Sequence, residues 1–252
     1  MSLEVNKYKT WSEFWGKFLH VDFHLQNPER WPSRAKKADW IIRQVSLTTQ
    51  SQILDLGCGD GLLDICLSRM GHFVTAIDSD LLVIENAKNE DDTKKVKFQC
   101  NDLKNISISE NNFDLIVFIQ TLGLMNQKDD CNLLNKIFKG LKQQGSLILD
   151  IPLEVEKQNS WSKEFSAGTI YCESFFDNSN RIQRINYKFA PYNEEPFGLL
   201  DPHLQSEGNE PGLFRYIYTK DELSKMLMDS GFSIEEIPHY YEKGYVALKG
   251  FK

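Results

Sequence analysis

The stretch ILDLGCGDG, residues 53–61, places Gly57, Gly59 and Gly61 at alternate positions directly behind a run of strand-forming residues. Glycine there lets a backbone come close to a ligand, with the N–H groups of a following helix start aimed at it. Two acids extend the pattern: Asp78 ends the run HFVTAID, and Asp102 follows KVKFQC in the sequence CNDL. A carboxylate at the end of the strand after such a loop accepts hydrogen bonds from both hydroxyls of a ribose. Each feature has a plainer reading, a tight turn for the glycines and a helix cap or solvated loop residue for either acid. Asp78 in particular would cap a helix beginning at Ser79. Their alignment along one chain favours a nucleotide-like ligand. The spacing then separates two cofactor classes, because a dinucleotide fingerprint is GxGxxG and these glycines make GxGxG.

Residues of this kind need a scaffold that brings strand ends together. Between Ile53 and Asp150, the apolar runs ILDL, HFVTAID, KVKFQC, FDLIVFI and GSLILDI alternate with the helical patterns LLDICLSRM, SDLLVIENAK and DDCNLLNKIFKGLKQQ. Strands so continuously apolar bury both faces, which predicts a doubly wound α/β core whose mostly parallel sheet is covered by helices. Gly71 and Gly145 are expected to end the helices before them. FSIEEI and GYVALKGF predict two closing strands paired antiparallel at the sheet's edge. Thr219 and Glu222 predict a capping box for TKDELSKMLMDS, with Gly231 closing that helix.

Two regions fall outside the alternation. Trp11, Phe14, Trp15, Phe18 and Leu19 have the spacing of an amphipathic helix, and SRAKKADWIIRQV predicts a second. In that second helix Ser33 is the expected N-cap, and Ala38, Ile41, Ile42 and Val45 face inward. Residues 1–46 thus form an expected helical cap on a core of residues 47–252. Residues 160–215 form an expected insertion on the substrate side. It starts with a hairpin, TIYCESFFD and RIQRINYKFA around NSN, and continues as an irregular stretch from Pro191 to Gly212.

Composition limits the function classes. The chain's 252 residues, 41% hydrophobic and 26% charged, suit one large α/β domain with additions and exclude a largely disordered chain. Five cysteines without a CxxC pair suggest neither a disulfide framework nor a zinc ligand set, so no metal is expected. A net charge of -7 disfavours DNA as a partner. MSLEVNKYKT lacks the apolar core of a secretory signal, and no apolar run approaches the roughly 20 residues a membrane helix requires. The expectation is a cytoplasmic monomer or homodimer away from membranes.

Together, DLGCGDG, the strand end AID, the NDL segment and the closing strand pair resemble class I S-adenosylmethionine-dependent methyltransferases, over residues 52–252. The resemblance implies a Rossmann-like, seven-stranded sheet with an antiparallel last strand. It also implies S-adenosylmethionine as cofactor and S-adenosylhomocysteine as product. Asp55, Gly57, Cys58, Gly59 and Gly61 match the motif holding the methionine end. Asp78 matches the ribose-binding acid, with Ser79 beside it; Asp102 matches the adenine-amine acceptor and Leu103 the residue whose N–H meets the adenine ring. Gln120 matches the position beside the sulfonium. Arg34 resembles an arginine that in some members pairs with the cofactor's carboxylate; its other reading is an ordinary surface arginine.

For the acceptor, the residue pattern is exclusionary. Methyltransferases of exocyclic base amines carry [ND]PP[YFW] after the fourth strand, where this chain has QTLGLMN. An oxygen or nitrogen of a small molecule is favoured over tRNA or protein. A lid over it would be lined by Trp11, Trp15, Tyr171, Phe175, Tyr187, Arg215, Tyr216 and Tyr218, most of which will be packing residues, and would close through KFAPYNEEPFGLLDPHLQSEGNEPG. Of these, Trp11, Trp15, Tyr171, Arg215 and Tyr218 are the candidate acceptor contacts. No catalytic residue is assigned; His20, His24, His203 and His239 are candidate bases. The rival readings are a nicotinamide-dependent oxidoreductase and a non-catalytic S-adenosylmethionine-binding protein.

Overall fold

The computed structural model describes residues 6–8, 30–152, 155–165, 168–192, 197–199, 213–240 and 244–252. Trp11 and Trp15 with their expected helix, His20, His24, His203 and most of the proline-bearing segment lie outside the described residues. In chain order the elements are β1 (Asn6–Tyr8), α1 (Arg30–Gln44), β2 (Gln52–Leu56), α2 (Leu62–Arg69), β3 (Phe73–Asp78), α3 (Leu81–Glu90), β4 (Lys97–Cys100), β5 (Phe113–Phe118) and α4 (Gln127–Gly140). There follow β6 (Leu141–Pro152), β7 (Gln158–Phe165), β8 (Gly168–Asp177), β9 (Ile182–Pro191), β10 (Phe197–Leu199), β11 (Leu213–Tyr216), α5 (Lys220–Asp229), β12 (Ser233–Ile237) and β13 (Tyr245–Phe251). Among the described residues, no helix is long and apolar enough to cross a membrane.

The chain divides into two units, Trp31–Glu154 with Tyr218–Lys252, and Met1–Arg30 with Val155–Ile217. The first holds a seven-stranded sheet in the order β12-β13-β6-β5-β2-β3-β4. Strand β2 pairs parallel with both β3 and β5, while β13 runs antiparallel to β6 and to β12. This is the expected doubly wound sheet with its antiparallel end. The apolar runs explain it: Ile53, Leu56, Leu115, Ile116, Val117, Phe118, Leu147, Ile148 and Leu149 are wholly buried, as strands covered on both faces must be. Strand order reverses between β2 and β5, and in such sheets the crevice outside the carboxyl ends at that reversal is where ligands bind.

Several boundaries differ from expectation for local reasons. Helix α1 begins at Arg30, so Ser33 lies within it rather than capping it, and Pro32 occupies the first turn, where its missing N–H costs nothing. Ala38 and Ile41 are fully buried against Ile53, Leu115 and Val117, which places α1 in the sheet-bearing unit rather than in a cap ending at residue 46. Helix α4 ends at Gly140, not after LKQQ, and Gln144 takes the left-handed conformation (φ 67) in place of Gly145. Gly145 is required by close packing instead: a Cβ there would sit 2.9 Å from the Lys142 carbonyl and 3.0 Å from that of Phe113. Helix α3 is capped by Asp80, whose Oδ1 accepts from Val83 N at 3.0 Å, and not by Asp78. The Thr219–Glu222 capping box is present on α5, and Gly231 (φ 103) follows it.

The second unit carries a sheet in the order β1-β10-β9-β8-β7, with β11 also pairing β9. The expected hairpin is β8 and β9, in register from Gly168↔Pro191 to Asp177↔Ile182. Strand β7 has no counterpart in the sequence reading, because QNSWSKEF holds too few apolar residues to show a period of two. A short strand, β10, also lies within the stretch expected to be irregular.

Candidate functional site

The loop after β2 is anchored on the neighbouring strand. Gly57 N and Cys58 N both donate to the Ile77 carbonyl, at 2.8 and 3.0 Å, and Gly61 N donates to the Cys58 carbonyl at 3.2 Å. All three glycines have left-handed φ values of 80, 54 and 69. Their surroundings differ. A Cβ on Gly57 would collide with the Thr121 side chain, and one on Gly61 would lie 2.6 Å from both the Ala87 Cβ and the Phe98 ring. A Cβ on Gly59 would meet nothing within 4 Å among the described residues. Two of the glycines are therefore imposed by packing, and among the described residues Gly59 alone of the three faces open space. The Cys58 thiol is buried and pushed well up by burial and the surrounding carboxylates, which disfavours its thiolate form.

Asp78 is tied to that one glycine. Its Oδ2 accepts from Gly59 N at 2.9 Å and its Oδ1 from Asp80 N at 3.1 Å, so Asp80 frees Asp78 from capping and Asp78 joins the loop to the end of β3. Burial pushes the Asp78 carboxyl above its ordinary range, against the pull of those backbone donors. At the next strand end, Cys100 lies opposite Asp78 in register and its thiol donates to the Ser79 carbonyl at 3.4 Å. Asp102 is exposed, with Oδ1 accepting from Lys104 N at 2.9 Å, and Leu103 is half-buried beside it. On the other side of β2, Gln120 lies two residues past β5 in a left-handed conformation (φ 58) rare for a residue with a side chain.

A charged layer adjoins the loop, most of it missed in the sequence reading. Arg34 Nη2 lies 3.2 Å from Asp60 Oδ2, which brings α1 to the glycine loop. One turn on, Lys37 is 6% exposed and is lowered to about 8, first by burial and then by the Arg34 charge, while Asp150, Asp55 and Asp60 oppose the shift. Asp55 is raised to about 7 by burial, with Lys37 pulling the other way. Asp64, wholly buried, is pushed well above the carboxylate range by burial and by Asp55. Spacing carried a trace of the layer: Arg34 and Lys37 are three apart on one helix face, and Asp60 and Asp64 are four apart at the start of α2.

The remaining candidates separate. Tyr218 is 2% exposed and its hydroxyl donates to Asp130 Oδ2 at 2.7 Å; it is a core residue of the sheet-bearing unit, not a lid residue, because its polar end is consumed internally. Tyr171 is exposed on β8, with the Lys188 ammonium 5.8 Å from its ring, and Arg215 is half-buried on β11. His239 has a side chain only 4% exposed, with Nε2 3.0 Å from Asp150 Oδ2, which leaves it no access to an acceptor as a base.

Chemically, the strand ends offer an open backbone position over Gly59, a carboxylate oriented beside it and a guanidinium held by Asp60. This donor set fits a ligand with a ribose and an amino-acid end. Residues 53–145 match the family described as a methyltransferase domain. The chain is 33% identical over 125 residues to the ubiquinone biosynthesis O-methyltransferase of Coxiella burnetii, covering 47% of this chain and 49% of that one. It spans about half the length of such curated relatives. A solved S-adenosylmethionine-dependent methyltransferase from Clostridium acetobutylicum superposes with a TM-score of 0.72 at 19% identity, covering 94% of this chain and 98% of that one. The S-adenosylmethionine-bound amino pentose methyltransferase CalS10 from Micromonospora echinaspora superposes with a TM-score of 0.66 at 13% identity, over 98% and 99% of the two chains.

Proposed function

We propose, from the premise that this chain carries a class I S-adenosylmethionine-dependent methyltransferase domain, that it methylates an oxygen or nitrogen atom of a small-molecule acceptor. The observation that carries the reading is the junction of Gly59 and Asp78, an open backbone position with a carboxylate fixed against it at 2.9 Å. When bound, S-adenosylmethionine supplies a methyl group already activated by its positive sulfur. The protein's work is then to bind, align and exclude water.

In this reading Asp78 receives the ribose hydroxyls and Gly59 admits the donor to the backbone. Arg34, steadied by Asp60, faces the donor's carboxylate. Asp102 and Leu103 serve the adenine, and Gln120 borders the methyl group. No general base is needed for an acceptor that is already nucleophilic.

A small-molecule acceptor is supported by the missing base-amine motif and by the similarity to an amino pentose methyltransferase and a ubiquinone biosynthesis O-methyltransferase. Tyr171 and Arg215 remain the acceptor contacts to vary. Titration calorimetry with S-adenosylmethionine, S-adenosylhomocysteine and NADH tests the donor, with binding of the first two alone expected. Transfer of a labelled methyl group across a panel of hydroxyl and amine acceptors tests the activity. Donor binding with no transfer to any acceptor would count for a non-catalytic binding protein.

A further inference from the structure

The buried pair His239 and Asp150 has no part in the functions above, yet it connects to the glycine loop through a continuous set of contacts. Asp150, on β6, is fully buried and uses both carboxylate oxygens. Its Oδ2 lies 3.0 Å from His239 Nε2, and its Oδ1 accepts the Gln120 backbone N–H at 2.6 Å. Gln120 is the left-handed residue after β5, and the next residue, Thr121, fills the space left by the missing Cβ of Gly57. His239 is itself fixed from several sides. Its ring stacks on Tyr245 at 5.2 Å and lies 4.4 Å from that of Tyr240, and Trp40 of α1 donates to the adjoining Pro238 carbonyl at 2.7 Å. The Lys37 ammonium sits 4.5 Å from the Tyr240 ring, which adds positive charge on this side of Asp150.

We propose that His239 is a positioning residue: by holding Asp150 Oδ2 it aims Oδ1 at the Gln120 N–H, and so sets the left-handed turn that packs Thr121 against Gly57 in the donor-binding loop. A backbone N–H donated to a carboxylate is among the stronger hydrogen bonds a loop can form, and it opposes the cost of a left-handed residue with a side chain. The turn after β5 is then held in its donor-ready form before any ligand arrives, which spares the ordering cost at binding. This rests on the reading of the glycine loop as the S-adenosylmethionine site.

Two substitutions separate hydrogen bonding from packing. His239→Phe keeps an aromatic ring in the stack and removes the nitrogen facing Asp150; His239→Gln loses the ring and keeps a side-chain N–H donor. The Gln120 amide proton in a ¹⁵N-resolved spectrum of the full chain reports on the Asp150 contact without any ligand. The expected result is that His239→Phe shifts the Gln120 amide upfield, weakens S-adenosylhomocysteine binding about tenfold, the scale of one charge-assisted hydrogen bond, and lowers the melting temperature because buried Asp150 loses a donor. His239→Gln should restore both signals even though the lost ring also leaves its melting temperature below wild type. An unmoved Gln120 amide in His239→Phe overturns the proposal, as does affinity that follows melting temperature across the two variants. If neither variant folds, Asp150→Asn provides the measurement. It keeps an acceptor for Gln120 N while weakening it, and an unchanged Gln120 amide there also overturns the proposal. Should wild type bind no donor at all, the functional reading fails, while the amide shift still decides whether His239 sets the turn.

Discussion

A methyl group added at Gly57 and one added at Gly59 meet different surroundings, although both glycines belong to one motif. Gly57→Ala combines a left-handed alanine with a clash against Thr121, and is expected to destabilise the fold by about 2–4 kcal/mol in urea denaturation. Gly59→Ala meets no atom of the described residues within 4 Å, so it should cost about 1 kcal/mol of stability, from backbone strain. Its Cβ instead occupies the space over the loop, and donor affinity measured by calorimetry should fall far more than stability does. The reverse ordering, Gly59→Ala less stable but binding normally, would remove Gly59 from the site. Asp78→Asn tests the neighbouring carboxylate. Loss of the charge should weaken S-adenosylmethionine binding by about 1.5–3 kcal/mol, and wild-type affinity in that variant would be incompatible with a ribose-binding Asp78.

At the scale of elements, a buried polar contact within the sheet-bearing unit ties the start of α4 to the chain just before α5. Burial raises the Asp130 carboxyl, at the start of α4, to about 6, and the Tyr218 hydroxyl pulls it back down. Removing the donor in Tyr218→Phe raises the folded-state value further. The ionised carboxylate loses more than the neutral acid, so the penalty should grow as pH rises through about 6. Urea denaturation should show a loss of about 1–3 kcal/mol at pH 8 and a smaller one at pH 5; equal losses would place the cost in packing. The next residue, Thr219, caps α5, and Thr219→Ala should cost about 1 kcal/mol independent of pH in that range. These elements were legible because their signals are local: a Thr and a Glu three apart, alternating strands, apolar runs. Asp80 as the cap of α3, and Gln144 instead of Gly145 as the left-handed residue, were not. Each depended on which of two neighbouring residues the rest of the fold had already engaged.

For the whole molecule, the buried charges beside the glycine loop add a pH dependence of their own. Asp55 titrates at about 7 when folded, against about 4 in an unfolded chain, so the folded state holds its proton more tightly. Its contribution to stability therefore declines as pH rises from about 4 to 7. Lys37 works in the opposite direction at higher pH. It gives up its proton at about 8 when folded, against about 10.4 unfolded, so stability recovers as pH rises between those values. The difference in unfolding free energy between wild type and Asp55→Asn should fall across the lower window and level off above it. A difference that stays flat from pH 4 to 8 would mean that Asp55 is ionised throughout.

What sequence alone determined were features whose physics acts over a few residues. Apolar strands announced the parallel sheet, the interval between Gly57, Gly59 and Gly61 indicated the donor class, and Asp78 was named from its place at the end of a strand. Tertiary structure decided which of those residues share an environment. It gave Gly57 to Thr121 and Gly61 to Phe98, leaving Gly59 open among the described residues; it moved Tyr218 from a supposed lid into the core; and it brought together Lys37, Asp55, Asp64, Asp150 and His239, residues far apart in the chain. Burial and charge proximity set the properties of Lys37, Asp55 and Asp64, and neither exists until α1, the sheet and the loop have packed against one another.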